Sequence, residues 1–193
     1  MKSILISIKP QWCEKIANGE KTIEVSKSAP KEVPFKAYIY CTKTENKWSL
    51  CDYEGAYENS EGEIVYAQQH IIGEFICDKV DEYFYTRIVD FSTLRGYFIS
   101  DNHLAAMCLS YGDVMNYGKG RTLYGLHISD LKIYDQPKEL SEFRKSGFMT
   151  EEEWLAYLYP HTHCHYAAWA KKFEITRPPQ SYMFVEEVQN DSI

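Results

Sequence analysis

A lysine and a glutamate three residues apart, Lys21 and Glu24, follow closely on a glycine, Gly19. An ammonium at a helix-to-strand turn, where backbone N–H groups are also free, could clamp a phosphate. A desolvated lysine could also act in hydrolysis; an exposed turn lysine is the plain alternative. Glu24 could pair with Lys21, accept from the amino group of a base, or act as a general base. On a perfect strand, positions 21 and 24 fall on opposite faces, so the two converge only if Lys21 still belongs to the turn. Glu74 lies inside the apolar run Ile71–Cys77, where an unpaired carboxylate is costly. It is therefore edge-exposed or turned towards a cleft, and the cleft is preferred. A Lys21–Glu24–Glu74 group would support activation of water for amide hydrolysis.

Other residues are candidates for binding. Thr22 and Ser26 add hydroxyls on the Glu24 face of the strand, and Lys27 follows at once. Trp12 could stack on a base, although with Ile16 four residues on it makes an ordinary core stripe, which is the preferred expectation. Arg121, beside Lys119 and Gly120, forms a basic glycine loop able to touch a phosphate. His127 sits among apolar strand neighbours and is expected to be structural. His161, His163, Cys164 and His165 invite a metal, but zinc wants four converging ligands, usually from two separated pairs. With no second pair in the chain the expectation is a loop, with no metal and no cofactor.

The elements that must position these residues follow from patterning. Ile4, Ile6 and Ile8 alternate as in a strand. Pro10 opens a short helix that Gly19 stops. Residues 22–27 alternate again, with Ile23 and Val25 pointing opposite to Thr22, Glu24 and Ser26. Residues 37–42 and Ile71–Cys77 are predicted strands, with a polar hairpin insertion between them that turns near Ser60-Glu61-Gly62. Ser110 to Asp113 is a capping box opening a helix that ends by Gly118. Leu123 to Tyr134 is predicted as one long strand closed by Asp135-Gln136-Pro137. Thr150 to Glu153 is a second capping box, before Trp154, Leu155 and Leu158, and Ser181 to Glu187 is a last strand. Many strands with few, short helices and irregular connections predict an α+β class and a small β-barrel.

Composition bounds the function. The chain has 193 residues and is 45% hydrophobic, which suits one domain with a real core. Its net charge of -7 argues against coating duplex nucleic acid by charge alone. The charge is uneven: residues 1–47 hold nine Lys against five Glu, while the rest carries a net of -11. A basic N-terminal third on an acidic body suggests a local anion-binding face, with a solvated lysine surface as the alternative. Six scattered cysteines without a CxxC pair, no secretory signal and no membrane-length apolar run predict a reduced cytoplasmic protein.

The run from Ile8 to Lys27 resembles the N-terminal signature of ASCH domains, a strand and helix leading into Gly-x-Lys-x-x-Glu-x-Arg. The matching residues are Gly19, Lys21 and Glu24; the arginine of the pattern falls at Ser26, whose hydroxymethyl cannot replace a guanidinium fork. Ile72–Phe75, Leu123–Leu131 and Arg177–Ser181 are similar to phage and prophage members of that family. The resemblance implies a PUA-like barrel, taken over residues 1–188; the polar stretch within 43–70 is read as an insertion in it and 189–193 as a disordered tail. It implies a cleft around Lys21 and Glu24 that accepts single-stranded RNA or a modified nucleoside. Some members resemble amidohydrolases acting on acylated cytidine and others look like ribonucleases. A third alternative is a phage-encoded counter-defence factor, whose acidic body would mimic nucleic acid to a protein partner.

Overall fold

The computed structural model describes residues 1–43, 56–65, 67–87, 95–149, 152–154 and 166–187. Strand β1 (Ser3–Ile8) is covered on both faces: Ile4, Ile6 and Ile8 join one core cluster with Ile39 and Phe75, and Leu5 joins a second with Phe143 and Val185. It lies between β3 (Phe35–Cys41), parallel to it, and β13 (Tyr182–Glu187), antiparallel to it. Helix α1 (Pro10–Ala17) starts on a proline, which has no N–H to leave unpaired at that position. Its Cys13 and Ile16 face the first cluster. Gly19 then takes φ +73, a conformation that costs an L side chain and not glycine. The N–H groups of Glu20 and Lys21 fold back onto the Lys15 carbonyl at 2.9 and 3.0 Å, and this turn aims the chain into β2 (Ile23–Ser26).

Two stretches of chain tie the main sheets together. β6 (Ile71–Cys77) is followed after two residues by β7 (Val80–Tyr83), and β10 (Leu123–His127) leads through Ile128 into β11 (Ser129–Lys138). β6 pairs with β11 and β7 with β10, both antiparallel. The long strand predicted from Leu123 to Tyr134 is therefore two strands, broken at Ile128, with Asp130 at φ +48 just beyond. It also continues past Pro137 to Lys138, because β11 is an edge strand, where a missing N–H is tolerated. Gly73 is needed in β6 since a Cβ there would lie 2.4 Å from the Lys132 carbonyl oxygen.

The result is a mixed α+β fold with a six-stranded sheet, β11-β6-β3-β1-β13-β12, and a three-stranded sheet, β2-β10-β7, where β12 is Phe143–Lys145. Among the described residues no hydrogen-bonded ring closes into the expected barrel. The paired strands bend from one sheet into the other, and the larger sheet ends on β11 and β12, which do not pair. Helices α2 (Asp101–Met107) and α3 (Tyr111–Gly118) place Met107 and Val114 in a third cluster with Ile23, Val25, Tyr83 and Leu123. The capping box of α3 is formed by Ser110 and Asp113, as predicted; α2, capped by Ser100, was not predicted.

A small hairpin, β4 (Tyr57–Glu58) with β5 (Ile64–Val65), turns through Ser60-Glu61-Gly62. Another pairs β8 (Tyr85–Arg87) with β9 (Arg95–Tyr97). Residues 44–55 of the expected insertion, most of the expected helix after Thr150 and the tail from 188 lie outside the described residues. No helix among the described residues is long and apolar enough to cross a membrane.

Candidate functional site

Lys21 lies in the turn before β2, which is the condition under which it can meet Glu24. Its side chain is buried, 2% exposed, and Nζ donates to the Met107 carbonyl at 2.6 Å. The same Nζ is 3.4 Å from Glu24 Oε2, close enough for an ion pair but outside hydrogen-bond geometry. Glu24, opposite Leu126 on β10, is 9% exposed, and its Oε2 has no hydrogen-bond partner. Burial pushes the Glu24 carboxyl above its ordinary value; the Lys21 ammonium pulls the other way without prevailing.

A cavity of about 510 Å³ opens at this pair, with Trp12, Asp113, Tyr117 and Gln180 among its walls. That volume falls within the usual range for small-ligand sites. Trp12 packs against the first core cluster and also lines the cavity, 5.3 Å from Lys21 Nζ to the ring centroid. Lys9 and Lys43 line it too, and both are exposed. Lys27 is exposed with Nζ 4.4 Å from the centroid of Tyr117, a cavity wall.

The remaining candidates are distributed elsewhere. Thr22 is exposed, and its N–H donates to the Ala106 carbonyl at 2.9 Å. Ser26 is buried within a hydroxyl cluster, 3.3 Å from Ser181 Oγ, while Ser28 Oγ is 2.7 Å from the same atom. Arg121 is exposed and does not line the cavity; its carbonyl accepts from the Tyr97 hydroxyl at 2.7 Å. Glu74 does not join Lys21 and Glu24. It binds Lys36 at 3.0 Å and the Tyr134 hydroxyl at 2.7 Å, both within the six-stranded sheet. Burial pushes its carboxyl up, but the bonds from Tyr134 and Lys36 outweigh that and hold it below its ordinary value. Its cost in an apolar strand is thus met by partners across the sheet.

His127 is held by Asp81, Nε2 to Oδ2 at 2.7 Å, and so has a structural partner. Among the described residues no group of three or more His, Cys, Asp or Glu is arranged to hold a metal; His161, His163, Cys164 and His165 lie outside the described residues. Sequence reasoning missed Tyr117, Asp113 and Gln180 as cavity walls, and the Met107 carbonyl as the partner of Lys21. The capping box at Ser110 located α3, but nothing in that pattern says which face of α3 meets the cavity.

Fold and site together define a class: a mixed α+β domain with a buried lysine–glutamate pair in the wall of a ligand-sized cavity. No family model matches the sequence, and no curated protein matches it. Among solved structures the chain is similar to the ASCH protein from Zymomonas mobilis, at 14% identity and a TM-score of 0.50, over 95% of this chain and 87% of that one. A serine-to-alanine mutant of the same protein gives 14% identity and a TM-score of 0.51 over the same shares. The chain has the fold of an ASCH domain.

Proposed function

We propose that this chain is a binding module for single-stranded RNA or a modified nucleoside, with one base entering the cavity beside Lys21 and Glu24. The observation that carries this is Oε2 of Glu24, buried in the cavity wall beside Lys21 yet accepting no hydrogen bond. A buried carboxyl oxygen without a hydrogen bond is costly, and a donor on the ligand relieves that cost. The amino groups of bases are such donors. Trp12 and Tyr117 offer ring faces for stacking, and the exposed Lys9 and Lys43 at the cavity offer charge to a phosphate. Cys13, Cys41, Cys77 and Cys108 are free thiols, which suits a reducing, cytoplasmic setting. Titration with a panel of nucleosides and short single-stranded RNAs across a salt series tests the proposal. Binding that weakens in Glu24→Gln and Lys21→Ala supports it, and no affinity for any member of the panel refutes it.

One observation favours a second function at the same place. The raised carboxyl of Glu24 beside an ammonium is the arrangement a general base uses to activate water for amide hydrolysis. Glu74 takes no part in this version, because it is paired elsewhere. Turnover of acylated cytidine or of RNA that survives both Lys21→Ala and Glu24→Gln would rule it out.

A further inference from the structure

We infer that His103 is a positioning residue for Lys21, acting through helix α2. The helix has seven residues, too few to hold its shape alone, so it depends on contacts at both ends. At its start, His103 Nδ1 lies 2.8 Å from the hydroxyl of the buried Tyr83 on β7. The other ring nitrogen, Nε2, is 3.8 Å from Asp81 Oδ2 on the same strand. Asp81 is itself gripped by His127 from β10 at 2.7 Å and by Lys79 at 3.0 Å. The His103 imidazole therefore docks the first turn of α2 on a fixed polar group of the three-stranded sheet.

At its far end the same helix holds the candidate site. Ala106 accepts from the Thr22 N–H at 2.9 Å, Met107 accepts from Lys21 Nζ at 2.6 Å, and Cys108 Sγ donates to the Glu20 carbonyl at 3.4 Å. Three consecutive residues of α2 and its cap thus grip three consecutive residues of the turn. The Lys21 ammonium sits between two acceptors and bonds the one that α2 supplies, leaving Glu24 Oε2 open. While α2 is docked, the lysine is held on Met107 and the glutamate lines the cavity without a hydrogen bond from it. Undocking α2 releases the ammonium to Glu24, which converts the 3.4 Å ion pair into a hydrogen-bonded one and occupies Oε2.

This inference rests on the Lys21–Glu24 cavity being the working site, but its readouts need no ligand. Amide exchange of Thr22 and the titration midpoint of the Glu24 carboxyl, both followed by NMR on the free full-length chain, are compared across variants. In His103→Ala, and in Tyr83→Phe should the first variant not fold, Thr22 exchange is expected to rise at least about tenfold. The Glu24 midpoint is expected to fall as Lys21 moves onto it. His103→Asn, which keeps a hydrogen-bonding group for Tyr83, is expected to restore both. Val185→Ala, a truncation in the second cluster away from α2, is expected to lower stability and move neither. Wild-type exchange and an unmoved midpoint in a folded His103→Ala or Tyr83→Phe would overturn the inference. So would equal changes in Val185→Ala. Failure of ligand binding alone would refute only the proposed function.

Discussion

Lys21 and Glu24 lie 3.4 Å apart and both are buried, yet the lysine gives its hydrogen bond to the Met107 carbonyl. The pair is thus asymmetric: the cation has a dedicated acceptor, while Oε2 of the anion accepts no hydrogen bond and has the cation's field. Each can be removed separately, and the two removals are not equivalent.

Lys21→Met leaves a buried carboxyl with neither counter-charge nor hydrogen bond at Oε2. Breaking a buried pair in this way costs about 3–5 kcal/mol. Glu24→Gln leaves Lys21 bonded to Met107 and is expected to cost about 1 kcal/mol. Urea melts at neutral pH should therefore rank Lys21→Met well below Glu24→Gln, and adding Glu24→Leu to Lys21→Met should recover most of the loss. The reverse ranking would mean that Glu24 holds the lysine rather than the lysine the glutamate.

The direction of the Glu24 shift fixes a pH dependence. Its folded-state value lies above the ordinary 4.5, so the folded chain binds the proton more tightly than the unfolded chain does. Its contribution to stability is fully present below pH 4.5 and is lost as pH rises through the raised folded value. Melting wild type and Glu24→Gln in parallel isolates this group, because Glu74 and Asp81, whose values are lowered, contribute to both curves. The wild-type advantage over Glu24→Gln should shrink as pH rises from 4.5 through that value, and level off above it. A difference that is flat or grows with pH would show that Glu24 is not desolvated.

Much of this was legible locally. Gly19 at φ +73, the proline-started α1, the alternation of β2 and the Ser110–Asp113 box are all set by neighbours within a few residues. The turn position of Lys21 followed from the same pattern. What was not legible lay across the chain. Lys21 bonds a main-chain carbonyl 86 residues away, and a carbonyl carries no side-chain signature. Glu74 was expected to face the cleft, but its partners, Lys36 and Tyr134, are 38 and 60 residues distant and lead it away from Glu24. The break at Ile128 went unseen although the apolar positions change phase there, from Tyr124, Leu126 and Ile128 to Leu131 and Ile133, as the strand changes sheets. Helix α2 had a readable signal in the cap at Ser100, but its mixed Asp-Asn-His start hid the apolar face.

Trp12 serves the core and the cavity at once, and two substitutions separate these roles. Under the proposed function, Trp12→Phe, which keeps a ring against the first cluster, should bind single-stranded RNA nearly as well as wild type. Trp12→Ala should lose about 1–3 kcal/mol of binding, the usual worth of one base–aromatic stack. Isothermal titration with a short single-stranded RNA, alongside thermal melts, distinguishes the two. Equal affinity in wild type and a folded Trp12→Ala would place the ring purely in the core.

Ser26 stands where the ASCH pattern has arginine, and the structure gives a reason to restore it. Glu24 and Ser26 alternate on the same face of β2, and Ser26 touches Ser181, which follows the cavity-lining Pro179 and Gln180. A guanidinium at position 26 cannot fit inside the hydroxyl cluster of Ser26, Ser28 and Ser181 and has to leave it; it is expected to extend along that wall towards the cavity. Forcing the longer side chain through a packed site should cost about 1–3 kcal/mol of stability. In return it presents a planar fork to a phosphate. Ser26→Arg is therefore expected to melt several degrees lower, bind single-stranded RNA about tenfold tighter at low salt, and steepen the log–log salt slope by about 0.7, the contribution of one single-strand phosphate. Ser26→Ala, which removes the hydroxyl without adding charge, should leave affinity and slope unchanged. Filter binding over a salt series reads both. A folded Ser26→Arg with wild-type affinity and slope would show that position 26 lies beyond the reach of the ligand.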